Sequence, residues 1–305
     1  MSLIDVAGYQ RILKNQPATL SMTVYDGSTI IDPGVTTITV TTADGTVLVT
    51  AGAATTGTGA AERTYALTTA DTANLDLLTV AWATTNYGVI TTYAGIVGNR
   101  LFTLTEARAA DRMQLADSSI YTDAALDEAR SRIEDDFQDI CGQSFIPRYV
   151  FEHYDGRGTQ FFMLRHWSDN APDVVVRSID YRTIGTLTWT AFTPSELSDV
   201  FVDNTGLLRR ELGVPFWLAT QNVRIGYEYG YKQVPLAIKR AALRLLVSST
   251  AAGQVSTNLP ERATSFATAD GTFRLATPGM RGSWYGLPEV DAVLARFSER
   301  TRAFA

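Results

Sequence analysis

The chain is poor in the residues that most often carry chemistry. Its 305 residues include one cysteine, Cys141, and two histidines, His153 and His166. A single thiol excludes an internal disulfide framework and reads as a buried, inert group at a helix end. The two histidines have no Cys-x-x-Cys or His-x-x-x-His partner, which excludes the common zinc spacings. One metal set, His153 and His166 with Asp155 and Asp169, is conceivable. Lysine is nearly absent as well: Lys14, Lys232 and Lys239 are the whole set. No apolar run approaches the ~20 residues that span a bilayer. Met1 to Lys14 lacks the basic start and apolar core of a secretory leader, so none is expected.

Catalytic motifs are missing too. No Gly-rich loop ends in Lys-Ser or Lys-Thr. Gly156-Arg157-Gly158 lacks the third glycine and the following helix of a dinucleotide site. Gly142-Gln143-Ser144-Phe145 lacks the second glycine of a nucleophile elbow. Asp135 and Asp136 are neighbours on a helix and point apart. The expectation is a protein that is not an enzyme and carries no cofactor and no metal. The aromatics Trp167, Trp189, Trp217, Tyr227, Tyr229 and Tyr231 read as core or interface, with a stacking platform for bases or sugars as the alternative. The net charge of −6 is uneven: between Asn15 and Gly98, Arg63 is the only base against six acids. Binding of nucleic acid by a basic surface is not expected.

What is present divides the chain. Residues 1–15 form an N-terminal segment. Residues 16–98, rich in Thr, Val, Ala and Gly, read as short strands at 18–25, 35–41, 47–50, 63–67, 78–84 and 90–97. Turn pairs such as Asp26-Gly27, Pro33-Gly34 and Asp44-Gly45 separate them. This is an all-β sandwich, immunoglobulin-like in size, with Trp82 in its core.

After Gly98 helix signals begin. Thr103-x-x-Glu106 is a capping box for a helix reaching about Leu115. Thr122 caps a second helix with Leu126, Ala129, Ile133, Phe137 and Ile140 on one buried face, ended by Gly142. Its other face, with Asp127, Glu128, Arg130, Glu134, Asp135 and Asp139, reads as solvated. A second β region covers 146–230: Tyr149–Tyr154 and Gln160–Leu164 flank Asp155-Gly156-Arg157-Gly158 as a hairpin. Further strands lie at 174–181, 186–189, 200–202, 207–210 and 223–229. In the last, Val223, Ile225 and Tyr227 point to one face, and Arg224, Gly226 and Glu228 to the other. Pro235 opens a helix to about Ala252. The fold class is therefore α+β, with a helical core at 99–253 that carries the β insert. An arm and helix follow at 254–305. The arm contains Phe266-Ala-Thr-Ala-Asp-Gly-Thr-Phe-Arg-Leu275, two alternating arms about Asp-Gly. An isolated hairpin is barely stable in water, so this one should be packed or held by another chain.

An ordered set of these pieces carries a resemblance. It runs Phe102-Thr-Leu-Thr-Glu-Ala-Arg108, the helix 125–140, Gly142-Gln-Ser-Phe-Ile-Pro-Arg148, Asp155-Gly156-Arg157-Gly158, Asn222 to Arg240, and Leu287-Pro-Glu-Val-Asp-Ala-Val-Leu-Ala-Arg-Phe297. From about Gly98 to Ala305 the chain resembles the head–tail connector, or adaptor, proteins of long-tailed bacteriophages. The resemblance implies a structural protein of the virion neck, assembled in the host cytoplasm, at the head–tail interface. Its partners would be its own copies in a ring, usually of twelve, the portal protein, and a downstream neck stopper or tail terminator. Double-stranded DNA would pass through without sequence recognition, and no membrane is involved. The N-terminal sandwich departs from the minimal family pattern and would brace or decorate the neck. Portal docking would use Phe266, Thr268, Thr272, Phe273, Leu275, Trp284 and Tyr285 of the arm, with Val293, Leu294 and Phe297 of the last helix laid into a groove. The alternative function is a carbohydrate- or cell-surface-binding module built on the Thr-rich sandwich.

Overall fold

Period-two alternation builds the first sheets, because successive strand side chains point to opposite faces. In the computed structural model the described residues are all except 1–3, 7–8, 27–28, 58–60, 112–114, 167–173, 183–187, 204, 211–214, 217, 255–264, 269–270, 275–283 and 303–305. The strands are β1 (Ile4–Val6), β2 (Gln10–Leu13), β3 (Ala18–Asp26), β4 (Thr29–Ile31) and β5 (Thr36–Thr41). They continue with β6 (Val47–Ala53), β7 (Thr55–Thr56), β8 (Glu62–Leu67), β9 (Asp76–Thr84) and β10 (Gly88–Val97). One sheet runs β1-β3-β8-β7 with β4 on β3; the other runs β2-β10-β9-β5-β6. Leu20, Met22 and Val24 of β3 and Leu78, Val80 and Trp82 of β9 fill one shared core. Each such aliphatic side chain contributes about 1.5–3 kcal/mol by leaving water. Trp82 is fully buried, and its Nε1–H donates to Thr92 Oγ1 at 2.9 Å.

Two details hold this region together. Arg63, the lone base, is buried and donates through Nε to the Gly34 carbonyl at 3.0 Å and through Nη2 to Asp32 at 2.5 Å. Gly34 is required there: its φ is +77°, and a Cβ would sit 2.2 Å from Thr85 Oγ1. Residues 4–6 and 10–13, given no strand by the sequence reading, pair with β3 antiparallel and β10 parallel respectively. They are too short to show a periodic signal.

Helices α1 (Leu104–Ala110) and α2 (Asp123–Cys141) come next. The Thr103–Glu106 capping box forms in full, but α1 stops at Ala110 rather than near Leu115. Gly142 ends α2 in the left-handed region, its N–H donating to the Gln138 carbonyl at 2.7 Å. The second β region has β11 (Arg148–Gly156), β12 (Phe161–Met163), β13 (Val175–Tyr181), β14 (Thr190–Ala191), the short α3 (Pro194–Ser198), β15 (Val200–Val202), β16 (Leu207–Arg210) and β17 (Ala219–Tyr229). Its sheets run β11-β17-β13-β14 and β12-β16-β15. The expected hairpin at Asp155-Gly156-Arg157-Gly158 does not form: β11 pairs with β17 and β12 with β16. Asn222 explains the divergence, because its buried Oδ1 accepts the Gly156 N–H at 2.7 Å and keeps β11 on β17 to its end. Of the strand expected at 186–189, residues 186 and 187 lie outside the described residues, and the pairing with β13 is made by Thr190 and Ala191.

The chain closes with α4 (Leu236–Gln254), β18 (Ser265–Thr268), β19 (Gly271–Arg274) and α5 (Pro288–Arg302). It is an α+β protein of two compact units. Residues 1–99 and 147–232 make the β unit; residues 100–146 and 233–305 make the helical unit. Both β regions thus fall in one unit. Within it, the β11 sheet is tied to the first region by Gly98 N–H to the Pro147 carbonyl at 3.0 Å and by Arg177 Nη1 to the Leu75 carbonyl at 2.6 Å. The second β core is aromatic: Tyr154, Phe162, Phe192, Phe216 and Tyr227 surround Leu208, Val223 and Ile225.

Candidate interaction site

The arm lies on the connection 255–287 between α4 and α5. Both helices belong to the helical unit, where α5 packs on α2 and α4. Structureless connections beyond ~12–15 residues are uncommon inside a compact domain and are usually functional. This one carries the expected hairpin. β18 and β19 pair antiparallel, with Phe266 opposite Phe273 and Thr268 opposite Gly271. Gly271 of the expected Asp-Gly turn is already paired in β19, and Asp270 lies outside the described residues. The two strands form their own sheet and join no other strand among the described residues. Leu275 lies outside the described residues.

The other docking residues have different surroundings. Tyr285 is half-buried; its hydroxyl donates to Asp136 at 3.0 Å and its ring stands 6.2 Å from that of Phe137. Burial, and then the Asp136 charge, push this phenol above its ordinary range. The backbone N–H groups of half-buried Trp284 and of Tyr285 both donate to Asp291 at the start of α5. Leu294 and Phe297 are buried in the chain's own helical core, with Phe297 edge-on to Phe145 at 5.4 Å; Val293 is half-buried. Laying Leu294 and Phe297 into a partner's groove is therefore corrected: their apolar surface is already covered by α2 and α4, and α5 roots the arm. Removing 254–305 would strip that core as well as the arm.

The solvated face expected on α2 holds at Glu128, Asp135 and Asp139, which are exposed, and is corrected at two other positions. Arg130 and Glu134 are buried. Arg100 donates through Nε to both Glu134 oxygens at 3.0 and 3.1 Å, through Nη1 to Asp127 at 3.1 Å and through Nη2 to Ser131 at 2.7 Å. The Leu101 N–H adds a third contact to Glu134. Arg130 bonds Asp127 and the Phe102 carbonyl. Side-chain exposure is 4% for Arg100 and 1% for Glu134. A pair buried this deeply persists only when hydrogen bonds surround it, and here each nitrogen of Arg100 and both oxygens of Glu134 have a partner. Cys141, as read from sequence, is buried, and burial pushes its thiol up to about 12.

In the β unit a second, half-buried carboxylate stands out. Glu152 on β11 accepts from the hydroxyls of Tyr154 at 2.7 Å and Tyr227 at 2.9 Å, and His166 Nε2 lies 3.5 Å away. Burial acts to raise its pKa. Hydrogen bonds from His166, Tyr154 and Tyr227 outweigh that and hold the carboxyl at about 2. The backbone N–H of His166 donates to the Tyr227 hydroxyl, and that of Arg165 to Tyr154. The Arg165 guanidinium stacks on the Tyr154 ring at 5.1 Å, at the side of a cleft of about 370 Å³.

The conceivable metal set does not come together. Asp155 accepts the Gln221 N–H at 2.7 Å, His153 meets the ring of Trp189, His166 faces Glu152, and Asp169 lies outside the described residues. No group of His, Cys, Asp and Glu among the described residues could hold a metal ion, and no described helix is long and apolar enough to cross a membrane. Of the aromatics, Tyr227, Tyr229 and Tyr231 are buried and unavailable for stacking. Trp189 is half-buried against Arg224 and Arg182, at 4.1 and 5.1 Å. Trp167 and Trp217 lie outside the described residues. A scan against models of protein families matches none, and a search of curated proteins finds no match.

Proposed function

We propose that the chain is a structural protein of the bacteriophage neck. Its copies close into a ring, of twelve in the connector pattern, that joins the portal to the next neck or tail protein and extends the DNA channel. On this reading the helical unit is the adaptor core and residues 147–232 are its β insert, since the chain leaves the helical unit after α2 and re-enters it at α4. The first β region, an immunoglobulin-like sandwich in size and layering, braces the outside of the neck. A net charge of −6 suits a channel through which DNA slides without sticking.

One observation carries the reading. A hairpin that joins no other described strand is strung on a long connection whose two ends are fixed in one helical core. Two strands alone are marginal in water. A hairpin with unpaired edges is suited to adding strands to a partner's sheet through main-chain hydrogen bonds. The portal is the partner proposed. The anchoring part is the hairpin with Phe266, Thr268, Thr272 and Phe273, while Leu294 and Phe297 hold its root.

The test is co-sedimentation of the full chain with the portal oligomer of the same phage, against a variant with 265–274 replaced by a Gly/Ser segment of equal length. The hairpin variant should keep its melting profile and lose portal binding. Undiminished binding by that variant refutes docking through the hairpin.

A further inference from the structure

The outer face of the β12-β16-β15 sheet carries apolar side chains where a solvent-facing sheet usually carries polar ones. Phe162 and Leu208 point into the aromatic core, so Phe161, Met163 and Leu207 point away from it. Phe161 is 50% exposed and Met163 51%. With Leu207 they line the cleft of about 370 Å³, whose charged lining is Arg157, Arg165 and Asp155. Asp155 is engaged with the Gln221 N–H, and Arg165 is spread over Tyr154 and the His153 carbonyl. Arg157 is exposed. The cleft is thus an apolar floor with cationic flanks.

The same chain offers a matching projection. Among the described residues of the helical unit the exposed large apolar side chains are Ile120, at 57%, and Leu236, at 59%. Leu236 stands among Lys232, Lys239 and Arg240 in sequence, the wrong sign for an arginine-flanked cleft. Ile120 stands between Asp117 and Asp123 in the connection from α1 to α2, where residues 116–120 are all exposed. Its described part from Leu115 onward is tied in place by side-chain hydrogen bonds. Arg108 donates to the carbonyls of Leu115 and Tyr121 and pairs with Asp123, and the Asp117 carboxylate accepts from the Ser119 N–H and hydroxyl. A projection ordered in advance loses little entropy on docking.

We infer that Ile120 of one copy, with Asp117 beside it, seats in the Phe161–Met163 cleft of the next copy, with Asp117 facing Arg157. The contact joins two different surfaces, the head-to-tail geometry that a ring requires. This inference rests on the ring reading above and names the surfaces that close it.

The experiment is a charge exchange read by concentration-dependent sedimentation of the full chain, alone and with portal. Asp117→Arg and Arg157→Asp should each weaken self-association by roughly tenfold or more, since like charges then face each other. The double exchange Asp117→Arg with Arg157→Asp should restore most of it, an outcome that misfolding cannot mimic. Ile120→Ser should weaken association without altering the melting profile. A wild-type chain that self-associates while the single reversals leave it unchanged, or the double exchange fails to restore it, overturns this contact and leaves the ring reading standing. A wild-type chain that stays monomeric at all concentrations, with portal present, overturns both.

Discussion

The helical unit buries a carboxylate and the β unit half-buries one, and they hold it by different chemistry. Glu134 is met by a full guanidinium charge, with Arg130, Asp127 and Ser131 completing the set. Glu152 is met mainly by two tyrosine hydroxyls, with His166 and Arg165 at the solvent edge. In the first arrangement each ion depends on the other, and removing one strands the rest. In the second the carboxylate keeps other donors when one is lost. The helical unit should therefore be brittle to the loss of either ion of the Arg100–Glu134 pair, and the β unit graded.

The largest effect should come from Arg100→Met. It leaves Glu134 buried and uncompensated, a cost of about 3–5 kcal/mol, read as the loss of the helical unit's transition in urea unfolding followed by circular dichroism. Adding Glu134→Leu should recover much of that; a double variant as weak as the single would break the comparison.

Acid comes next. The folded pKa of Glu152, about 2, lies below its ordinary value. The unfolded chain binds that proton more readily, so this stabilisation is complete above the ordinary carboxylate range and is lost as pH falls from there toward 2. Thermal melts from pH 7 to pH 2 should show the β unit declining across that window. Tyr227→Phe should cost about 1–3 kcal/mol, because it removes one donor to Glu152 and the acceptor of the His166 N–H. It should also move the onset of acid loss to higher pH. Ser131→Ala should be the smallest, about 0.5–1.5 kcal/mol, since Arg100 keeps three of its contacts. A larger loss at Ser131 than at Tyr227 would reverse the expected ranking.

The same contrast explains what could be read before the structure. The strands of the first β region are legible because Leu20, Met22 and Val24 alternate with Thr19, Ser21 and Thr23 and a single apolar core absorbs them. Capping signals were local enough to place Thr103, Thr122 and Gly142. The α2 network was not read, although its signal was present. Arg130 and Glu134 fall on the stripe of Leu126, Ile133 and Phe137, four residues after Leu126 and three before Phe137 respectively. Charges at core spacing announce a buried partner, but Arg100 sits outside any helix, so nothing local pointed to it. The expected hairpin at Asp155-Gly156 does not form because a turn signal says nothing about which distant strand competes; β17 and Asn222 win. Leu294 and Phe297 were legible as an apolar stripe, and the sequence could not say whose core they entered.

The most direct test of the architectural claim is electron microscopy of the full chain mixed with its portal oligomer. The account predicts closed rings seated on the portal, absent when 265–274 is replaced by Gly/Ser. Solitary particles beside bare portals, or rings that seat equally well without the hairpin, would contradict it.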